Sequence, residues 1–226
     1  MLLILPIGDH NPTKRIPVVN YLLLAANLFI FFYLYFIRYE VYPQIVQGYG
    51  VIPKLYHAEP LSAAAGDGYR LFTSLFLHGS LPHLLGNMLF LYIAGDNVED
   101  RVGHLRYLLF YLAAGVVANV VHIAFAHQSS WVLPTIGASG AIAGLMGAYM
   151  VWFPRRRIQF WYLFFFMIGT FTVPAGIAFG LWFLQQLLYG RAEMAGGMTG
   201  VAYWAHVGGF AFGAVAALTT RISGRR

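Results

Sequence analysis

Residues 17–37 run for 21 positions without one charged side chain. As a helix rising 1.5 Å per residue, such a run is about 30 Å long, the thickness of a bilayer's hydrocarbon core. Water is a poor solvent for a rod of this kind, so the fold must be one that keeps it out of water. Five more apolar runs follow, at 75–95, 107–126, 132–153, 158–189 and 203–220. The fold class expected is therefore all-α: a polytopic membrane protein whose six transmembrane helices form one bundle across residues 1–226. The run at 158–189 is longer than one crossing needs, so its first third either tilts or lies along the interface. Charge agrees with this picture, since only 10% of residues are charged against about 25% in a soluble domain.

Residues 1–7 are apolar but have no basic flank and no small-residue cleavage site, so they do not resemble a signal peptide. The segment 38–74 carries Pro43, Pro53, Pro60 and several aromatics, which suit a long, partly interfacial loop. There is no cysteine, which excludes disulfides, thiolate metal sites and a thiol nucleophile. Net charge is +6, yet the cations punctuate apolar runs and form no stripe for nucleic acid. With the N-terminus cytoplasmic, Lys14, Arg15, Arg101, Arg106, Arg155, Arg156, Arg157, Arg221, Arg225 and Arg226 share one side. Arg38, Lys54, Arg70 and Arg191 face the other. Ten against four favours that orientation under the positive-inside rule, with both termini cytoplasmic and loop 38–74 outside.

Polar groups at depth are costly in hydrocarbon and usually have a task. Ser139 precedes the cytoplasmic Arg155 by 16 residues, a rise of about 24 Å. His206 precedes Arg221 by 15 residues, about 22 Å, and His83 precedes Asp96 by 13, about 20 Å. Three separate runs thus bring a serine and two histidines to one layer below the outer surface. Each has a plainer explanation when taken alone. Gly140, Gly144 and Ala148 form a small-residue face for helix packing, as do Gly209 and Gly213 beside His206. His83 and Asn87 lie on one helix face and could bridge helices, and Asn119 and His122 are expected to do so.

Chemistry joins what packing would leave separate. A serine hydroxyl needs a neighbouring base to become a nucleophile, most often a neutral histidine. Ser139 and His206 supply that pair. Acyl transfer also needs donors aimed at the developing oxyanion. The Asn87 amide, the His83 ring N–H and the Ser139 backbone N–H at a helix start can provide them. Gly137 and Gly140 leave the approach to Ser139 open.

At these residues the sequence resembles the rhomboid family of intramembrane serine proteases. The matching pieces are His83-x-x-x-Asn87, Gly137-Ala138-Ser139-Gly140 and Ala205-His206-x-x-Gly209-x-x-x-Gly213, in the second, fourth and sixth runs. The resemblance implies that Ser139 is the nucleophile and His206 the general base, without a carboxylate. It gives His83 and Asn87 the oxyanion, and gives Gly137, Gly140, Gly209 and Gly213 supporting places. It implies single-span membrane proteins as substrates, the lipid bilayer as surroundings and no cofactor or metal. It further implies a cavity open to the outer face under a mobile loop at 190–200. Apart from the resemblance, a single-domain chain with a minimal N-terminus looks bacterial, so the inner membrane of a bacterium is the expected location. Two positions depart from the pattern. Ala143 stands where some relatives place an aromatic against the histidine ring, and Tyr69-Arg70 replaces a Trp-Arg pair and is expected to anchor the outer loop. His78 matches a family position beside the site.

Rival enzyme classes fare worse. No aspartate pair lies within the runs, and His83 is followed by Leu84, Leu85 and Gly86, not by the His-Glu-x-x-His of a zinc protease. A transporter would want paired charges at mid-depth. The serious alternative is a non-catalytic rhomboid-like protein that binds membrane helices; such relatives usually lack the serine or the histidine.

Overall fold

The computed structural model describes residues 2–58, 65–196 and 200–223. An apolar helix satisfies its own backbone and needs only its ends attended to. Among the described residues, α1 (Val18–Phe36) and α6 (His104–Phe125) are the two helices long and apolar enough to cross a membrane. The start of α1 shows how the bundle is joined. Pro17 offers it no side-chain cap. The cap comes instead from Glu99, whose carboxylate accepts the backbone N–H of Val19 at 2.9 Å and of Asn20 at 2.7 Å. A buried carboxylate there meets both unpaired donors and the positive end of the helix dipole. Glu99 belongs to α5 (Leu81–Val102), so one side chain fastens two helices. Tyr107 of α6 donates to Asn20 Oδ1 at 2.7 Å, and Asn20 Nδ2 donates to the Leu91 carbonyl at 3.3 Å.

The run expected to span 75–95 opens in a 3₁₀ turn at Ser74–Phe76 and becomes α-helical only at Leu81. Ser80 caps α5 by accepting the His83 N–H at 3.3 Å, and Pro82 sits in the first turn, where a missing N–H costs nothing. The run at 132–153 is likewise shorter than expected. Its helix, α7, is Ser139–Trp152, about 21 Å long, and the residues before it form an extended approach. Every residue from Gly140 to Tyr149 is buried, because α7 is surrounded by α5, α6, α8 (Ala175–Met194) and α9 (Tyr203–Ser223). A helix apolar all round belongs in such a place.

The largest correction concerns 158–189 and the all-α expectation. That run holds a hairpin, β2 (Arg157–Phe164) and β3 (Met167–Pro174), before α8 begins. It pairs with a strand at the start of the chain, β1 (Leu2–Asp9), in an antiparallel sheet of order β1-β2-β3. The protein is mostly helical but not all-α. The physical reason is local: Ile158, Phe160, Trp161, Tyr162, Thr170, Phe171, Thr172 and Val173 are β-branched or aromatic, and Pro174 stops a helix from reaching back across them. A continuous apolar run does not declare its period, so its length misled.

The sheet is tied to the helices through polar contacts. Tyr149 of α7 donates to Asp9 Oδ2, which also accepts Asn97 Nδ2 at 3.1 Å. Burial raises the Asp9 carboxyl above the usual range. Among the described residues of segment 38–74, three short α-helices appear, α2 (Tyr42–Tyr49), α3 (Pro53–Ala58) and α4 (Arg70–Thr73). Arg70 ties α4 to α2 by donating to the Gln47 carbonyl at 2.6 Å and to the Gly50 carbonyl at 3.1 Å, and it also donates to Asp67. Tyr69 adds its hydroxyl to the Gly48 carbonyl at 2.8 Å.

Candidate active site

Ser139 is the first residue of α7, so its backbone N–H has no acceptor within the helix. The approach to it is held from three sides. Thr135 and Val51 exchange backbone hydrogen bonds at 2.7 and 3.0 Å, and the Gly137 N–H donates to the Ser74 carbonyl at 2.9 Å. Asn119 of α6 holds that same stretch in place, donating to the Leu71 carbonyl at 2.9 Å and to Ser74 Oγ at 3.0 Å. His122 Nε2 lies 3.0 Å from Thr135 Oγ1. Gly137 itself has φ +126°, a conformation L-residues avoid, and a Cβ there would meet His83 Nε2 at 2.7 Å. The glycine is what lets the serine loop lie against the His83 ring.

His206 arrives on α9. Its Nε2 is 2.8 Å from Ser139 Oγ. Two backbones must approach closely for this to happen, and the glycines permit it. A Cβ on Gly209 would overlap the Gly140 carbonyl, and one on Gly213 the Gly144 carbonyl. On the α6 side, a Cβ on Gly140 would stand 2.6 Å from Ala118 Cβ, and one on Gly144 2.5 Å from Ala114 Cβ. The small-residue face of α7 is thus used on both sides, and packing and chemistry are not rival accounts of these residues.

Asn87 lies one turn beyond His83 on α5, and its amide donates to the His83 carbonyl at 3.0 Å. The second amide N–H has no partner among the described residues. The Asn87 nitrogen would be 3.8 Å from a Cβ on Gly137, so both α5 side chains converge on the loop before Ser139. Ser139, His206, His83 and Asn87 line a single cavity of about 610 Å³, together with Trp182 of α8 and Glu193. Glu193, near the end of α8, accepts the Ser130 hydroxyl at 3.3 Å. His78, fully buried, sits with its ring 5.1 Å from that of His83. The loop expected at 190–200 begins later, since α8 runs to Met194, and positions 197–199 lie outside the described residues.

One neighbour of the site did not emerge from the sequence. Gln186 of α8, buried at 5% exposure, has Oε1 2.8 Å from His206 Nδ1. The signal was a polar residue inside an apolar run. It was obscured because 158–189 read as one long crossing, which gave Gln186 no definite depth.

A family model described as "Rhomboid domain" matches residues 65–223. The chain belongs to the rhomboid family. Among its relatives, the rhomboid protease GluP of Bacillus subtilis is 33% identical over 134 residues, 59% of this chain and 24% of that protein. RHOMBOID-like protein 4 of Arabidopsis thaliana is 30% identical over 150 residues, 65% of this chain and 32% of its own length. The chloroplastic rhomboid-like protein 11 of the same plant is 34% identical over 149 residues, 59% and 50% respectively. The match therefore spans half or less of each of these relatives. Membership makes this rhomboid an integral membrane protein, in a family whose proteolytic members are serine proteases. Gly137, Ser139, Gly140, His206, Gly209 and Gly213, like His83 and Asn87, all fall inside the matched stretch.

Proposed function

We propose that this rhomboid is an intramembrane serine endopeptidase, cutting a peptide bond in or near the membrane segment of single-span proteins. The observation that carries the proposal is the 2.8 Å approach of Ser139 Oγ to His206 Nε2 within a cavity of about 610 Å³. That distance is within hydrogen-bond reach for a nucleophile and its base. In the reaction, Ser139 Oγ attacks the scissile carbonyl carbon as His206 Nε2 takes its proton, giving a tetrahedral adduct. Asn87, His83 and the Ser139 N–H face the resulting oxyanion. The imidazolium then protonates the leaving nitrogen, and water releases the acyl group by the same steps.

In this proposal the six crossings are made by α1, α5, α6, α7, α8 and α9, with both termini cytoplasmic in a bacterial inner membrane. The shortness of α7 supports a serine lying beneath the outer surface, because a helix of about 21 Å leaves part of a 30 Å core to the loop ahead of it. The test is fluorophosphonate labelling in proteoliposomes, paired with cleavage of a single-span reporter. Wild type should label at Ser139 and cleave; Ser139→Ala and His206→Ala should do neither. Cleavage by Ser139→Ala equal to wild type would remove the proposal. Failure of folded wild type to label or cleave would favour a helix-binding role instead.

A further inference from the structure

We infer that Gln186 is a positioning residue that fixes the tautomer of His206; the inference rests on the proteolytic proposal above. A base that is to accept the serine proton must present a bare Nε2, which requires the ring proton to sit on Nδ1. The sequence suggested no group for that task, since the runs contain no carboxylate near the histidine, and Ala143 offers only a methyl one turn after Ser139.

The arrangement of α8 supplies one. Gln186 Nε2 donates to the Trp182 carbonyl of its own helix at 3.3 Å. A carbonyl only accepts, so the NH₂ end of the amide must point there, and Oε1 is left facing His206 Nδ1 at 2.8 Å. An amide oxygen also only accepts, so Nδ1 carries the proton. Nε2 then holds a lone pair, and it is this nitrogen that lies 2.8 Å from Ser139 Oγ. Four groups in line, Trp182 C=O, the Gln186 amide, the His206 ring and the Ser139 hydroxyl, have one consistent assignment of donors. Trp182, one turn before Gln186, also lays its indole beside the ring, with centroids 5.5 Å apart at 38°. The face of α8 therefore orients the imidazole, and it does so with a neutral group where a carboxylate would stand in a charged triad.

The experiment compares wild type with Gln186→Leu and Gln186→Glu by reporter cleavage, fluorophosphonate labelling rate and pH profile. Gln186→Leu leaves Nδ1–H without an acceptor and should lower kcat about 10- to 100-fold with little change in KM. Gln186→Glu keeps an acceptor but adds a negative charge; it should retain activity while moving the acid limb of the profile to higher pH by about one unit or more. A second measurement needs no variant at Gln186: ¹⁵N spectra of the histidine rings, minus those of His206→Gln, should show His206 protonated at Nδ1 in the resting enzyme. A resting ring protonated at Nε2, a Gln186→Leu enzyme with wild-type kcat, or a Gln186→Glu profile superimposable on wild type would each overturn the inference. Those outcomes require a wild type that labels and cleaves, so they are distinct from failure of the proteolytic proposal, in which wild type does neither.

Discussion

The glycine contacts between α7 and α9 set the separation of Ser139 and His206, and Gly213→Ala measures how firmly. A Cβ on Gly213 would lie 2.6 Å from the carbonyl carbon and 2.8 Å from Cα of Gly144, and closer still to the carbonyl oxygen. Ordinary contact between carbons is about 3.5–4.0 Å, so the helices must part by about 1 Å. Neither side can yield by changing a rotamer, because both surfaces are backbone. Overpacking of this kind typically costs about 1–3 kcal/mol. The chemistry should suffer as well. His206 is seven residues from Gly213, about 10 Å along the axis, too near for the displacement to be absorbed. Parting by 1 Å would stretch the 2.8 Å contact to about 3.8 Å, beyond hydrogen-bonding range. A misplacement of about 1 Å can cost on the order of 100-fold in rate. Gly180→Ala is the control: its Cβ meets only Met150 Sδ, at 3.9 Å. The assay is reporter cleavage in proteoliposomes with thermal unfolding in detergent alongside. Gly213→Ala should lose about 100-fold in cleavage and unfold at lower temperature, while Gly180→Ala should match wild type. Wild-type cleavage by Gly213→Ala would refute the claim that these backbones set the distance.

Two further outcomes are expected. Asn87→Ala should lower kcat by about 10²- to 10³-fold without abolishing cleavage, the usual loss for one oxyanion donor; a wild-type kcat would take Asn87 out of that role. Glu99→Ala removes the acceptor of two N–H groups at the start of α1 and should destabilise by about 2–3 kcal/mol, read as a lower unfolding midpoint.

The candidate site residues were legible because polar side chains stand out against apolar surroundings. A serine between glycines and a histidine in an apolar run have few reasons to share a depth. Their spacing to the nearest arginine sufficed to suggest a meeting. Helix limits were less legible. Ser80 and Pro82 carry an N-terminal signal that places the start of α5, but hydrophobicity upstream of them extended the expected span to Leu75. The sheet was invisible for a different reason. β1 is apolar and about 150 residues away from its partner in the chain, and nothing in either segment names the other. Gln186 was lost with it, since its depth depends on where α8 begins, and that is set by Pro174 and the hairpin.

The pairing of β1 with β2 also has a consequence for how the protein is made. Leu2 is opposite Phe164, so two positions 162 apart in the chain end as neighbours. At a synthesis rate of about 5–20 residues per second, the first strand emerges about 8 to 32 s before its partner exists. For that interval an apolar ribbon with unsatisfied backbone groups is tethered to the growing bundle, open to any other strand that comes by. Closing the sheet must therefore wait for the synthesis of β2, and it joins a strand that precedes α1 to one translated after Ser139.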